Sequence, residues 1–127
     1  MPTVAADHPI VGGLLLLASG VMHFDLRLMG YRYISVVGKL FLVQAPLAVV
    51  LAFGNIAANR WMIHLGGAVL LAFTESGLLV SVYTGLFGFP DRPAAPYAWA
   101  SLAVEISGFL VLAIPVLLER STRARLR

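Results

Sequence analysis

The sequence predicts an all-α, polytopic membrane protein that folds as an antiparallel bundle of four transmembrane helices. Its composition is the first reason: 60% of the 127 residues are hydrophobic and 12% are charged, whereas soluble domains carry about a quarter charged residues. The second reason is the spacing of the apolar segments, because about 20 helical residues cross the hydrocarbon core of a bilayer. We therefore expect one domain, 1–127, with spans at about 10–29, 34–57, 61–85 and 97–118 and a basic tail at 119–127.

Prolines and short links support this division into spans. The first span opens after Pro9, which suits the first turn of a helix because the N–H there has no partner. Pro46 lies inside the second span and is expected to kink it. The link at 57–60 is short, so the second and third spans should form an antiparallel hairpin. A proline-containing loop at 86–96 precedes the fourth span.

The third span carries a stripe of small residues. Gly77, Ser81 and Gly85 recur every four residues and lie about 200° around the helix from Glu75. Small residues allow two helices to approach closely within a membrane. We expect this stripe to pack against one neighbour while Glu75 faces another.

Basic residues near the ends of the spans predict the orientation. An even number of spans places both termini on one side, together with Arg60 and a dense arginine tail, which favours the cytoplasm in a multi-pass protein of the cell membrane. The N-terminal segment lacks the basic residues of a signal peptide, so we expect the first span to be retained. The tail should contact anionic lipid headgroups rather than nucleic acid, because no folded basic domain accompanies it. Its arginines are Arg120, Arg123, Arg125 and Arg127.

Polar groups within the spans mark the candidate site. Each span contributes one ionisable group at a similar depth, roughly 5 to 12 Å from the outer boundary at 1.5 Å per residue. A carboxylate at that depth costs a few kcal/mol, so the acids should be protonated or paired with Lys39 or His23. Because these groups include two acids and only one certain base, one acid is left either to be protonated, as a neutral carboxylic acid, or to bind a cation. The predicted ligand- or ion-binding residues are His23, Lys39, Gln44, Glu75 and Glu105.

The stretch after His23 has two interpretations. Asp25, Arg27 and Tyr31 form either a lid over a polar pocket or a set of interfacial anchors and belt aromatics. Asp25 lies about 200° around a helix from His23, so a single histidine–aspartate–arginine site on one face is not expected. Elsewhere, His64 beside Trp61 is interpreted as an interfacial residue.

Several alternatives stay open for the buried polar groups. They can bind a ligand, ion or proton, or they can hold transmembrane helices together, which is the favoured role of Gln44. A third possibility is that the chain is an accessory or assembly subunit of a larger membrane complex, or a homo-oligomer. His8 is interpreted as a solvated residue of the N-terminal segment.

Catalytic templates fit the sequence poorly. The chain has no cysteine, which excludes disulfides and thiolate chemistry, and it lacks the serine-hydrolase, zinc-protease and nucleotide-binding motifs. Neither Glu75 nor Glu105 is followed three residues later by a histidine, as di-metal helical sites require. We predict no catalytic residue, metal or cofactor, and an enzymatic role is the weakest hypothesis.

Three segments carry a resemblance to a known group of proteins. They are HFDLRLMGYRYISVVGKLFLVQ at 23–44, LFGF at 86–89 and LAVEI at 102–106. In these the chain resembles small four-span membrane proteins of actinobacteria whose function is unassigned, although Phe24 replaces a leucine and Ser35 a proline of that pattern. A looser likeness in size and span number is to DoxX-like proteins. The resemblance implies a four-span fold and brings no activity with it.

Overall fold

The protein consists of four long helices. The computed structural model describes residues 4–58, 60–83, 85 and 98–127. The helices are α1 (Val4–Leu28), α2 (Ser35–Ala57), α3 (Trp61–Tyr83) and α4 (Ala98–Arg125), and a short 3₁₀ turn, Tyr31–Tyr33, joins α1 to α2. All four are long and apolar enough to cross a membrane. The predicted all-α bundle of four apolar helices is confirmed.

Two helices extend further than the sequence predicted. α1 begins at Val4 rather than near residue 10, so Pro9 lies inside it. α4 continues to Arg125, although its apolar part was expected to end at residue 118. Polar residues after an apolar span still favour a helix, and the ion pair between Glu119 and Arg123 joins positions four apart in this extension. The basic tail is therefore mostly helical.

The turn between α1 and α2 depends on two glycines. Gly30 has a φ of 131°, a conformation that side chains rarely adopt. Gly38, in the first turns of α2, lies directly under the turn, and a Cβ atom there would be 2.6 Å from the carbonyl oxygen of Tyr31. The absence of a side chain at Gly38 lets the Tyr31–Tyr33 turn pack against α2.

The helices form an antiparallel ring. Sequential helices pack against each other, α1 also packs against α4, and α1 meets α3 across the centre, whereas the described parts of α2 and α4 do not touch. We call the end where α1 begins and α4 finishes the terminal end, and the end where α1 meets α2 the turn end. α2 passes through Pro46 without interruption.

The middle of the bundle is an apolar layer. Leu16, Leu71 and Leu112 are completely buried there, surrounded by small side chains. Large apolar side chains such as Phe53 and Phe73 point outward, with 63% and 80% of their surface exposed. An apolar exterior of this kind suits contact with lipid, because acyl chains are as apolar as the side chains.

The predicted stripe of small residues lies near the end of α3. Gly77 is half-buried, and Gly85 follows the helix with a φ of 82°, a conformation common at helix ends. The side chain of Ser81 lies outside the described residues, and so does the predicted loop at 86–96.

Candidate functional site

Ser19 on α1 is the centre of a buried polar cluster. Its hydroxyl donates a hydrogen bond to Oε1 of Glu105 on α4 at 3.0 Å. It also accepts one from Nε2 of Gln44 on α2 at 3.1 Å. All three side chains are buried. The hydroxyl therefore links three helices, and Gln44 joins α2 to α1, as its predicted structural role requires.

His23 lies one helical turn beyond Ser19 and belongs to the same cluster. Its Nδ1 is 2.8 Å from the backbone carbonyl oxygen of Ser19. A carbonyl oxygen only accepts, so Nδ1 must carry a hydrogen. In the neutral ring this leaves Nε2 as the basic nitrogen, and Nε2 is 3.7 Å from Oε1 of Glu105. A base and a carboxyl group thus face each other across the interface of α1 and α4.

Glu75 on α3 completes the cluster. The carboxyl groups of Glu75 and Glu105 are close enough to act on each other electrostatically, and the buried Ser101 also acts on Glu105. Both oxygens of Glu75, Oε2 of Glu105 and Oε1 of Gln44 are buried and accept no hydrogen bond from any described residue. The cluster is therefore rich in acceptors and short of donors. Its members, called the polar cluster below, are Ser19, His23, Gln44, Glu75, Ser101 and Glu105.

Lys39 lies apart from the polar cluster. Its side chain is on the exposed surface of α2, whereas Gln44 faces the interior. Residues five positions apart on an α-helix point about 140° away from each other, so both cannot face the same site. The structure does not bring Lys39 to the acids, and the basic side chain that approaches them is His23.

Aromatic rings cover the polar cluster at the turn end. The edge of the His23 ring meets Phe41, with the two centroids 4.9 Å apart. Tyr31 stacks on Phe41, with the two ring centroids 5.3 Å apart and an interplanar angle of 16°. Tyr31 therefore occupies a position compatible with the predicted lid. Asp25 and Arg27 are half-buried in the last turns of α1.

A second buried polar group lies at the terminal end. His64 is only 3% exposed, and its Nδ1 lies 2.5 Å from Oδ1 of the buried Asn55. The ring of His8 meets it edge-on, with centroids 5.1 Å apart. His64 was interpreted as interfacial and His8 as solvated; the structure instead buries His64 between helices and places the half-buried His8 against it, because α1 starts early enough to carry His8 to this end of the bundle. We call His8, Asn55 and His64 the terminal cluster.

Four residues of the two clusters and their aromatic cover were missed in the sequence, namely Ser19, Ser101, Asn55 and Phe41. They carry no charge, so nothing distinguishes them from helix packing residues. The spacing relative to the histidines is the one signal in the sequence that points to two of them, because Ser19 lies four residues before His23 and Asn55 lies nine residues before His64. Among the described residues, no three histidine, aspartate or glutamate side chains form a group that could hold a metal ion.

The fold and its buried polar cluster define the class of protein, a multi-pass α-helical membrane protein with ionisable groups enclosed between its helices. Comparisons with protein-family models, curated proteins and solved structures found no match. The resemblance to small actinobacterial four-span proteins therefore stays a prediction.

Proposed function

We propose that the polar cluster binds a proton within the membrane and exchanges it between its two carboxyl groups and His23. The observation that carries this proposal is the meeting of Glu75 and Glu105 in a buried site whose carboxyl oxygens outnumber the donors around them. Two carboxylates buried near each other do not readily ionise together without a compensating charge, because the repulsion favours protonation of one of them, so such pairs commonly share a proton.

The free-energy cost of unpaired buried oxygens favours a polar cluster that holds a proton. A buried polar group without a hydrogen-bond partner costs about 1–3 kcal/mol, and an ionised one costs more. A proton on Glu75 or Glu105 turns one acceptor into a donor, which can then bond to the other carboxyl group. One proton therefore removes two unsatisfied acceptors and the charge repulsion together.

His23 provides a place to which this proton can move. Transfer from the Glu105 carboxyl group to Nε2 of His23 gives a carboxylate beside an imidazolium, at a starting separation of 3.7 Å. The Ser19 hydroxyl already donates to the carboxyl oxygen concerned and supports its charge. The Nδ1 hydrogen bond to the Ser19 carbonyl persists in both states, because that nitrogen is protonated throughout.

A small hard cation is the second candidate occupant. Carboxylate, amide and hydroxyl oxygens from Glu75, Glu105, Gln44 and Ser19 are the donors that such cations prefer. Sodium ions would compete with the proton for the same oxygens. The proposal therefore predicts a site that binds protons in sodium-free buffer, and added sodium reveals whether a cation displaces them.

Infrared difference spectroscopy tests the proposed function. The purified protein in lipid nanodiscs should show the C=O band of a protonated buried carboxyl group that changes between acid and alkaline buffer. Glu105→Gln and Glu75→Gln should each remove or shift this band, because each removes half of the pair. Glu119→Gln, at a half-exposed carboxyl group near the terminal end, is the matched control and should leave the band unchanged. A band that stays unchanged in both cluster variants contradicts the proposal.

The terminal end supports a separate proposal about lipid. A groove of about 510 Å³ lies there between α3 and α4, and the guanidinium group of Arg120 lies over the ring of Trp61 at 5.3 Å from its centroid. Arginines beside a membrane-facing tryptophan attract anionic headgroups. We propose that this groove binds the headgroup of an anionic phospholipid and that the terminal end faces the cytoplasm. Its lining residues are Trp61, Val116, Glu119, Arg120, Arg123, Ala124 and Arg127.

A further inference from the structure

The terminal cluster is built around a fixed asparagine side chain. The Nδ2 group of Asn55 donates to the carbonyl oxygen of Leu51 at 2.7 Å and to that of Ile63 at 3.4 Å. Both partners only accept, so the amide cannot be turned around without placing oxygen against oxygen. Oδ1 of Asn55 must therefore face His64.

This orientation determines which nitrogen of His64 carries hydrogen. Oδ1 of Asn55 is an acceptor, so Nδ1 of His64, 2.5 Å away, must donate to it. In the neutral ring Nε2 is then the basic nitrogen. A proton added to Nε2 leaves the Nδ1 hydrogen bond intact, since the imidazolium ion donates from both nitrogens. His64 can therefore take up and release a proton without breaking its contact with α2.

The same arrangement occurs at His23, whose Nδ1 donates to the Ser19 carbonyl oxygen. In each cluster a buried histidine is held through Nδ1 by an oxygen that cannot donate, so Nε2 is the basic nitrogen of the neutral ring. Held in this way, the histidine keeps its position whether the ring is neutral or protonated.

An apolar layer separates the two clusters in every helix. Along α1, Leu16 lies between His8 and His23, and along α2, Ala52 lies between Gln44 and Asn55. Leu71 and Leu112 occupy the equivalent places in α3 and α4 and are completely buried. At 1.5 Å per residue, His64 and Glu75 are about 16 Å apart along α3. The buried apolar layer therefore lies between the two clusters along the length of the bundle.

The groups that face His64 come from three helices. α1 contributes His8, α2 contributes the neutral Asn55, and α4 contributes Glu119, whose charge acts on His64. Glu119 is half-exposed and pairs with Arg123 at the surface of the terminal end.

We propose that His64 is a second proton-binding site, which takes protons at its Nε2 atom from the terminal side of the membrane, independently of the polar cluster. This goes beyond the proposed function, because it holds whether or not Glu75 and Glu105 carry a shared proton. If both sites bind protons, the bundle presents one proton acceptor to each side, separated by the layer of Leu16, Leu71 and Leu112.

Nitrogen-15 NMR of histidine-labelled protein in lipid bilayers tests this proposal on the wild-type chain. The three histidine signals are assigned with His8→Gln, His23→Gln and His64→Gln. At alkaline pH we expect His64 to show the tautomer protonated at Nδ1. On acidification from about pH 7 to pH 4, a window extended below the usual histidine range because burial disfavours the charged ring, it should convert to imidazolium. A tautomer protonated at Nε2, or a ring that stays neutral over this range, overturns the proposal.

Sidedness is tested in proteoliposomes whose orientation is measured from trypsin access to the C-terminal arginines. The His64 signal should follow the pH on the side of the tail and ignore the pH on the other side; the reverse result overturns the proposal. The same titration in Glu105→Gln should be unchanged. A persistent His64 titration with no carboxyl infrared band would leave this inference standing while the proposed function fails.

Discussion

Ser19 holds three members of the polar cluster at once. Its hydroxyl bonds to Glu105 and Gln44, and its backbone carbonyl oxygen holds His23. A hydroxyl can donate once and accept as well, so no apolar side chain of similar size can replace both contacts. The position of the acids therefore depends on one small residue that has no charge.

Ser19→Ala should lower the free energy of unfolding by about 1–3 kcal/mol, because the buried Glu105 and Gln44 groups both lose a partner. Reversible unfolding in mixed micelles measures the change. Ser76→Ala is the matched control, since the Ser76 hydroxyl is exposed and bonds to the Ala72 carbonyl within its own helix. Equal stability of the two variants would contradict the role assigned to Ser19.

Charge and depth were enough to predict that His23, Glu75 and Glu105 lie in the interior of the bundle, and Gln44 was added to them as a large polar side chain inside an apolar span. They were not enough for Lys39, because a long aliphatic stem lets a lysine near a helix end extend to the surface. Ser19 and Asn55 could not be predicted either. Neutral polar residues are common in transmembrane packing, and only the paired geometry with a histidine distinguishes these two.

At the scale of the element, the turn between α1 and α2 is the feature that positions the aromatic cover of the polar cluster. The backbone of Tyr31 rests on Gly38, and the Tyr31 ring stacks on Phe41, which meets His23. The carbonyl oxygens of the turn approach the helix so closely that a side chain at Gly38 would meet backbone atoms. The backbone cannot move away as a flexible side chain could.

Gly38→Ala should therefore destabilise the protein by about 1–3 kcal/mol through overpacking. Gly66→Ala is the matched control: its nearest neighbour would be a side-chain atom of Leu51 at 3.5 Å, an ordinary contact. Alanine favours a helix over glycine, so this control should be neutral or slightly stabilising. Thermal unfolding of both variants in the same detergent gives the comparison, and a neutral Gly38→Ala would contradict the packing described for the turn.

Helix type and number could be predicted from the apolar segments, but the helix ends could not. A span predicted from the sequence alone ends where its apolar residues end. α4 instead continues through Glu119 and Arg123, whose spacing stabilises the helix beyond the hydrocarbon. α1 likewise begins among polar residues, and this early start is what carries His8 to His64.

For the whole molecule, the arrangement is two polar layers on either side of one apolar layer. The polar cluster lies toward the turn end and the terminal cluster at the opposite end, with Leu16, Leu71 and Leu112 between them. Apolar packing stabilises a membrane protein without the free-energy cost of burying ionisable groups in hydrocarbon. The buried ionisable groups lie on α1, α3 and α4, whereas α2 contributes the neutral Gln44 and Asn55. The proton-binding role proposed above rests on these ionisable groups. Membership of a larger complex or a homo-oligomer stays a prediction.

The charged terminal end should select lipids. Arg120→Gln is expected to reduce the anionic phosphatidylglycerol that the protein retains, because it removes a guanidinium group from the groove beside Trp61. Native mass spectrometry of protein released from mixed phosphatidylglycerol and phosphatidylcholine nanodiscs counts the bound lipids. Arg32→Gln, at an exposed arginine of the turn end, is the control. Equal lipid retention by the two variants would count against the groove as a headgroup site.

The most direct test of a proton in the membrane is the infrared spectrum of the Glu75–Glu105 pair near neutral pH. We predict one protonated carboxyl group in the wild-type protein, seen as a C=O band that Glu105→Gln removes or shifts and Glu119→Gln preserves. A spectrum in which both cluster acids are ionised at neutral pH in sodium-free buffer would contradict the proposed proton-binding site.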